Sequence, residues 1–284
     1  MAERKWEEMD ADCLVNILGR VELQTRVQAV PLVCKSWYRA VRNPLCWEKI
    51  FFPPMLRTPS SQTELIKFVV NRSQRRATVL ALPYSCDREA LLYVSEELPN
   101  LKMLVLSSRV SVEHRDIIPS LIMKFKNLEG LMLGNAYFVK DILELIPIHL
   151  PKFALLDLRN CFVGGEAAAA IVSHVPKLKV LIMDQATLDR EDLLLIMQSC
   201  KQLERLHVRN CMGFAEDDEQ ILRLSSGIKD FQCSGSKGMD EHFQLVKDVN
   251  NACLEFTKKD VYRSIFKAAD GVDGYEWDMD EDWA

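Results

Sequence analysis

One periodicity constrains this chain more than any other feature in it. From residue 77 onward, apolar side chains recur at positions 1, 4 and 6 of a repeating unit: Ala77/Leu80/Leu82, Leu101/Leu104/Leu106, Leu128/Leu131/Leu133, Phe153/Leu156/Leu158, Leu178/Leu181/Met183, Leu203/Leu206/Val208 and Ile228/Phe231/Cys233. The last five units begin 25 residues apart. Side chains along a strand alternate between two faces, so positions 4 and 6 share one face and positions 3, 5 and 7 the other. The rest of each unit has helical apolar spacing, over residues 87–97, 112–124, 139–146, 166–174, 189–199 and, less regularly, 216–224. No single unit of this kind can bury both its strand and its helix. Stacking successive units buries both, which predicts an α/β architecture of parallel strands backed by helices.

Ahead of the repeats lies a denser apolar stripe. Leu14, Ile17 and Leu18 fall at i, i+3 and i+4, Leu23 follows a break, and Val30, Val33, Cys34, Trp37 and Val41 continue at helical spacing. A segment of about 50 residues with no metal ligands and no disulfide pattern rarely closes a core alone. Part of this stripe is therefore expected to meet another polypeptide.

The residues that carry a family likeness are Trp6-Glu7-Glu8-Met9, Asp12-Cys13-Leu14-Val15-Asn16-Ile17-Leu18, Val33-Cys34-Lys35-Ser36-Trp37-Tyr38-Arg39-Ala40-Val41 and Asn43-Pro44-Leu45-Cys46-Trp47. In this order they resemble an F-box, the module that attaches substrate receptors to the SKP adaptor of cullin–RING ubiquitin ligases. The usual Leu-Pro opening is replaced by Met9-Asp10. Cys161 and Cys211 stand at position 9 of their units, and the resulting pattern looks like the cysteine-containing class of leucine-rich repeat, which is commonly joined to F-boxes. The Trp-Glu-Glu-Met opening is similar to plant proteins of that combined type. The resemblance implies adaptor contacts at Met9, Leu14, Ile17, Leu18, Leu23, Val33, Cys34 and Trp37, with Trp47 locking the module onto the linker.

The chain then divides into an F-box at 1–52, a linker and N-terminal cap helix at 53–76, a right-handed solenoid of about seven leucine-rich repeats at 77–237, a helical C-terminal cap at 238–269 and an acidic tail at 270–284. The solenoid's short parallel strands are expected on a concave face, with the helices outside. Pro53 and Pro54 stop the F-box helices, and Ser61-Gln62-Thr63-Glu64 has the spacing of a capping box opening the cap helix. In the C-terminal region, helices are expected over 240–249 and 258–268.

The net charge of −5 comes from the tail, where residues 270–282 hold seven acidic side chains and no basic one. The body is close to neutral, which gives no electrostatic case for nucleic acid. No run of about 18 apolar residues is present and no apolar signal region follows Met1, so neither a membrane span nor a secretory leader is expected. Nine cysteines without a C-x-x-C suit a reducing compartment, predicting nuclear or cytoplasmic residence. The five histidines form no metal-binding spacing, and no nucleophile or phosphate-binding motif occurs. No metal, cofactor or catalytic group is expected.

On the strand face turned away from the core, the first three units carry small or apolar residues and the later ones charged residues. Met103, Val105 and Met132 are the candidates for an apolar target patch, and Arg159, Asp184, Arg205, His207 and Arg209 for a polar one suited to an acidic or phosphorylated feature. Arg159, Asp184 and Arg209, all at position 7, also have the order of a self-satisfying charge ladder. Arg205 and His207 have no matching carboxylate in the preceding unit. What the resemblance implies is a non-catalytic substrate-recognition subunit, joined through the SKP adaptor to a cullin and holding a protein target. The alternatives are a repeat scaffold with a degenerate F-box, and a small-molecule-dependent receptor.

Overall fold

In a computed structural model of the chain, residues 6–53 and 62–239 are described. The N-terminal module is built from helices Ala11–Arg20, Leu23–Gln28, Val30–Val33 and Lys35–Val41, with single 3-10 turns at Trp6–Glu8 and Pro44–Trp47. The Met9-Asp10 opening has a local purpose. Asp10 caps the first helix, its carboxylate accepting from the backbone N–H groups of Asp12 (2.9 Å) and Cys13 (3.2 Å), which satisfies two of the otherwise unpaired donors at a helix start.

Much of the module's apolar stripe is buried, in a core that continues into the sheet. Leu14, Val15, Leu18, Leu23, Val30, Val41, Cys46 and Trp47 are all buried. Arg26 is enclosed with them, donating to the carbonyls of Cys46 and Val21 and lying 4.9 Å over the Trp47 ring. The Trp47 indole N–H donates to the Val41 carbonyl at 2.7 Å. A large cation paired with backbone carbonyls and an aromatic face supplies volume that this short segment lacks in aliphatic side chains.

The chain next enters a parallel sheet. Its strands are β1 (Lys49–Phe51), β2 (Val79–Ala81), β3 (Met103–Leu106), β4 (Gly130–Leu133), β5 (Leu155–Asp157), β6 (Phe162–Val163), β7 (Val180–Ile182), β8 (Thr187–Leu188), β9 (Arg205–His207) and β10 (Asp230–Gln232). Eight of them pair in chain order, β1-β2-β3-β4-β5-β7-β9-β10, while β6 and β8 form a second, two-stranded ladder. Every pairing is parallel and in the register of the sequence unit, so that Leu80, Leu104, Leu131, Leu156, Leu181 and Leu206 stand in one row. None of these six leucines is more than 1% exposed, and burial of each contributes roughly 1.5–3 kcal/mol.

Helices connect the strands and pack behind that row. Gln62–Arg72, Arg88–Glu97, Gly165–His174, Arg190–Ser199 and Glu219–Ser225 lie close to the expected spans. Two expected helices are each broken in two: 112–124 becomes Ser108–Glu113 and Ile118–Ile122, and 139–146 becomes Val139–Leu143 and Ile146–His149. The cause is Pro119 and Pro147, each in the first turn of its second piece, where a missing N–H costs nothing. In the later units the chain leaves its strand through a left-handed residue at position 8: Asn160 (φ 58°), Gln185 (φ 59°), Asn210 (φ 52°) and Gly235 (φ 77°). That turn aims position 10 into the second ladder, where Phe162 pairs Thr187, and Met212 bridges Thr187 and Lys237. Gly213 (φ 121°) follows, at a place where a Cβ would collide with the Leu188 carbonyl. The position-9 thiols Cys161 and Cys211 are buried, donating to the carbonyls of Leu133 (3.4 Å) and Met183 (3.0 Å). Burial pushes the Cys211 thiol up to about 12.

The strand β1 precedes the first unit of the sequence pattern and was not expected. It pairs Ile50 with Leu80 and joins the helical module directly to the sheet. Buried residues from Leu14 to Ile221 form one continuous cluster. The helical spans expected at 240–249 and 258–268, the acidic tail and Ser61 of the expected capping box lie outside the described residues. Among the described residues no helix is long and apolar enough to cross a membrane.

Ile50 is fully buried at this junction. Ile50→Ala is expected to lower stability by about 2–5 kcal/mol with one unfolding transition in urea. Separate transitions for helical module and sheet would contradict a shared core.

Candidate functional site

The helical module leaves apolar side chains outside once its core is complete. Leu32 is 83% and Val33 56% exposed, and Trp6, Ile17, Tyr38 and Leu45 are exposed as well. Their placement follows from the short helix Val30–Val33. Val30 turns inward, Pro31 occupies the first turn, and Leu32 and Val33 are left pointing outward before Cys34 breaks the helix in an extended conformation. Cys34 is half-buried with its sulfur 3.0 Å from the Ser36 hydroxyl, which lowers the thiol's pKa. Trp37 packs partly against the core, and its indole N–H is buried with no hydrogen-bond partner among the described residues.

Of the eight adaptor contacts expected from the sequence, Ile17 and Val33 are therefore exposed, and Met9, Cys34 and Trp37 half-buried. Leu14, Leu18 and Leu23 require correction. They are at most 2% exposed and belong to the module's own core, so no partner can touch them while the helices stay packed. Leu32, Tyr38 and Leu45 are exposed apolar residues that the expected set did not include. The signal was present: each is a large apolar residue lying off the helical stripe that the core uses.

The outward face of the sheet also differs from expectation. Met103, Val105 and Met132 are 8%, 6% and 0% exposed, so they form no open apolar patch. One reason is local. Gly130 sits beside Met103, whose sulfur takes the space that a side chain there would need, and Val105 is paired in register with Met132.

Further along, the charged residues are matched to one another. Arg159 turns back on its own strand to Asp157, with Nε 3.1 Å from both carboxylate oxygens and Nη2 2.7 Å from Oδ2. Asp157 is wholly buried, and burial raises its pKa despite Arg159. Arg209 reaches across to Asp184, its Nε 3.1 Å from Oδ2 and its backbone N–H 2.9 Å from Oδ1. The expected ladder thus includes an Asp184–Arg209 pair, and Arg159 also holds a carboxylate two residues away.

Arg205 and His207 are compensated from the following strand, where the sequence pattern had been matched only to the preceding one. Asp230 pairs Arg205 in register, and its Oδ2 lies 2.7 Å from Arg205 Nε. The same oxygen lies 3.0 Å from His207 Nε2. Burial lowers the His207 pKa more than the neighbouring Asp230 raises it. Burial also works to raise the Asp230 carboxyl, but His207 and Arg205 more than offset this and hold it below the usual carboxylate range. Arg159, Arg205 and Arg209 are therefore each matched by a carboxylate, with Arg209 the most open to solvent at 43% of its side chain.

Comparison with known proteins places this geometry. The F-box domain family matches residues 6–49. Along its length the chain is similar to several Arabidopsis thaliana proteins. The F-box protein FBW2 is 23% identical, over 98% of this chain and 86% of that one. The putative F-box/LRR-repeat protein 23 is 24% identical over 81% of this chain, which spans 53% of that longer relative. The F-box/LRR-repeat protein At3g48880 is 24% identical over 72% of both chains. Residues 6–49 thus match an F-box domain, and beyond them the chain is similar to Arabidopsis thaliana F-box and F-box/LRR-repeat proteins.

Proposed function

We propose that the chain is a substrate-recognition subunit of an SCF-type cullin–RING ubiquitin ligase. In this reading the F-box binds an SKP-type adaptor, and through it a cullin, while residues 77–237 form a leucine-rich-repeat solenoid that holds a target protein. The observation that carries the adaptor half is the exposure of the large apolar side chains Ile17, Leu32, Val33 and Tyr38 on a module whose other apolar residues are buried. Water contact at such side chains is unfavourable, and full burial of each in an interface would contribute roughly 1.5–3 kcal/mol. The chain supplies no nucleophile in this scheme. Its contribution is to hold a target lysine at high local concentration near an activated ubiquitin.

The target half is supported by the outward sheet face, where Arg205, His207 and Arg209 with their carboxylates offer directional polar contacts. Because Arg205 and Arg209 are paired, they would select a target surface that presents both charge signs or exchanges with Asp184 and Asp230, more than a bare anion. A matched pair costs less to desolvate than an isolated charge, which suits it to an interface.

Two experiments test the halves separately. Leu32→Asp with Val33→Asp is expected to abolish capture of the SKP-type adaptor and to change stability by less than about 0.5 kcal/mol, whereas Leu14→Asp unfolds the module. Retained adaptor capture by the double variant would refute the assignment. For the target half, alanine at Arg205, His207 and Arg209 together is expected to lose ubiquitination of the physiological target in a reconstituted ligase while adaptor capture persists. Undiminished ubiquitination would remove these residues from the target site.

A further inference from the structure

The loops leading into the strands form one rim of the sheet, and their charges do not balance. Each loop is tied to its neighbour. Backbone bonds run from Lys102 to Thr78, Glu129 to Lys102, Ala154 to Glu129, Lys179 to Ala154 and Glu204 to Lys179. Side chains add to this, with Asn100 donating to the Arg75 carbonyl at 3.1 Å and Lys152 to Asn127 Oδ1 at 3.5 Å. Residues at equivalent places in successive loops therefore stand in a row at the strand spacing.

Four carboxylates near this rim are already engaged: Glu97 with Arg75, Glu96 with Lys124, Glu129 with Lys102, and Glu204 with both Lys179 and Lys229. Arg76, Lys126, Lys152, Lys177 and Lys201 are left over. All five are exposed, and none makes an ion pair among the described residues. They sit in the loops leading into β2, β4, β5, β7 and β9, one unpaired cation per loop, one or two residues before position 1 of the unit. Glu48, in the loop before β1, is the one carboxylate of these loops without an ion-pair partner among the described residues.

We infer that this rim is a docking surface for an extended acidic polypeptide segment. Five strand steps of about 4.8 Å place the outer cations about 24 Å apart, the reach of about seven residues in extended conformation. A segment with Asp or Glu at alternate positions can address such a row from one side. Nucleic acid fits less well, because single strands are held by stacking on exposed aromatic rings interleaved with cations. Here the aromatic rings of these loops, Phe125 and Phe153, pack into or against the core. The rim is separate from the exposed apolar residues of the helical module, and its binding property does not depend on the ubiquitin-ligase reading being right.

A competing role exists for the same cations. Each lies within about four residues of a helix C-terminus, whose partial negative charge favours a cation. Binding and stability separate the two roles. A fluorescent dodecaglutamate peptide is expected to bind the full-length chain, with affinity falling about tenfold from about 50 to about 300 mM salt, as exposed pairing is screened. Lys126→Glu, Lys152→Glu and Lys177→Glu together should weaken binding at least about tenfold and leave the thermal midpoint and adaptor capture unchanged. Reversing Lys140, Arg115 and Arg223, which lie elsewhere, alters net charge equally and should weaken binding far less. The inference fails if both triple variants lose binding alike, if the rim triple lowers the thermal midpoint without affecting binding, or if a twelve-residue oligothymidine binds more tightly than the peptide.

Discussion

The structure depends on the parallel pairing of short strands in strict chain order. A parallel pair needs a long crossover between its members, and here each crossover is the helical remainder of one sequence unit. Because the register is constant, every leucine at position 4 lands on the preceding one, and a single apolar row runs from Leu80 to Leu206. A one-residue slip would place the polar side chains Asp157, His207 and Gln232 against the helices and the leucines in water. The penalty for that exchange is what holds the register.

The same pairing explains how a small helical module is stabilised without disulfide or metal. Strand β1 continues the module's last turn and takes the first place in the sheet, so that Ile50 and Trp47 connect two sets of buried side chains. Since the module does not need a partner to complete its core, its remaining apolar residues are available as a surface. Leu32 and Val33 are displayed by a helix too short to bury more than one of its faces. Structure and proposed function are linked at that point: closure of Leu14, Leu18 and Leu23 is the condition for a defined docking surface.

Sequence periodicity made the row of strands legible because positions 4 and 6 are apolar in every unit, and the positions of Cys161 and Cys211 pointed inward as found. The broken helices were legible too, through Pro119 and Pro147, but apolar spacing was allowed to outweigh the prolines. Other features depend on contacts that no local pattern encodes. Strand β1 has three residues, too few to show alternation. The partner of Arg205 and His207 comes from the following strand, and looking only to the preceding one missed Asp230. Arg26 is buried in the module's interior beside Trp47, and a cation in that role runs against its usual place at the surface.

The central claim is that helical module and sheet fold as one body, with docking surfaces that exist before any partner arrives. Native-state hydrogen exchange measures this directly. The account predicts that the backbone N–H groups of Leu18, Leu80 and Leu104 exchange with the same protection free energy, reached through one global opening, and that adaptor binding does not raise the protection of Leu18 relative to Leu104. Faster exchange at Leu18 than at Leu104 in the free chain, with the difference abolished by adaptor, would show a module that completes its folding only on binding and would contradict the account.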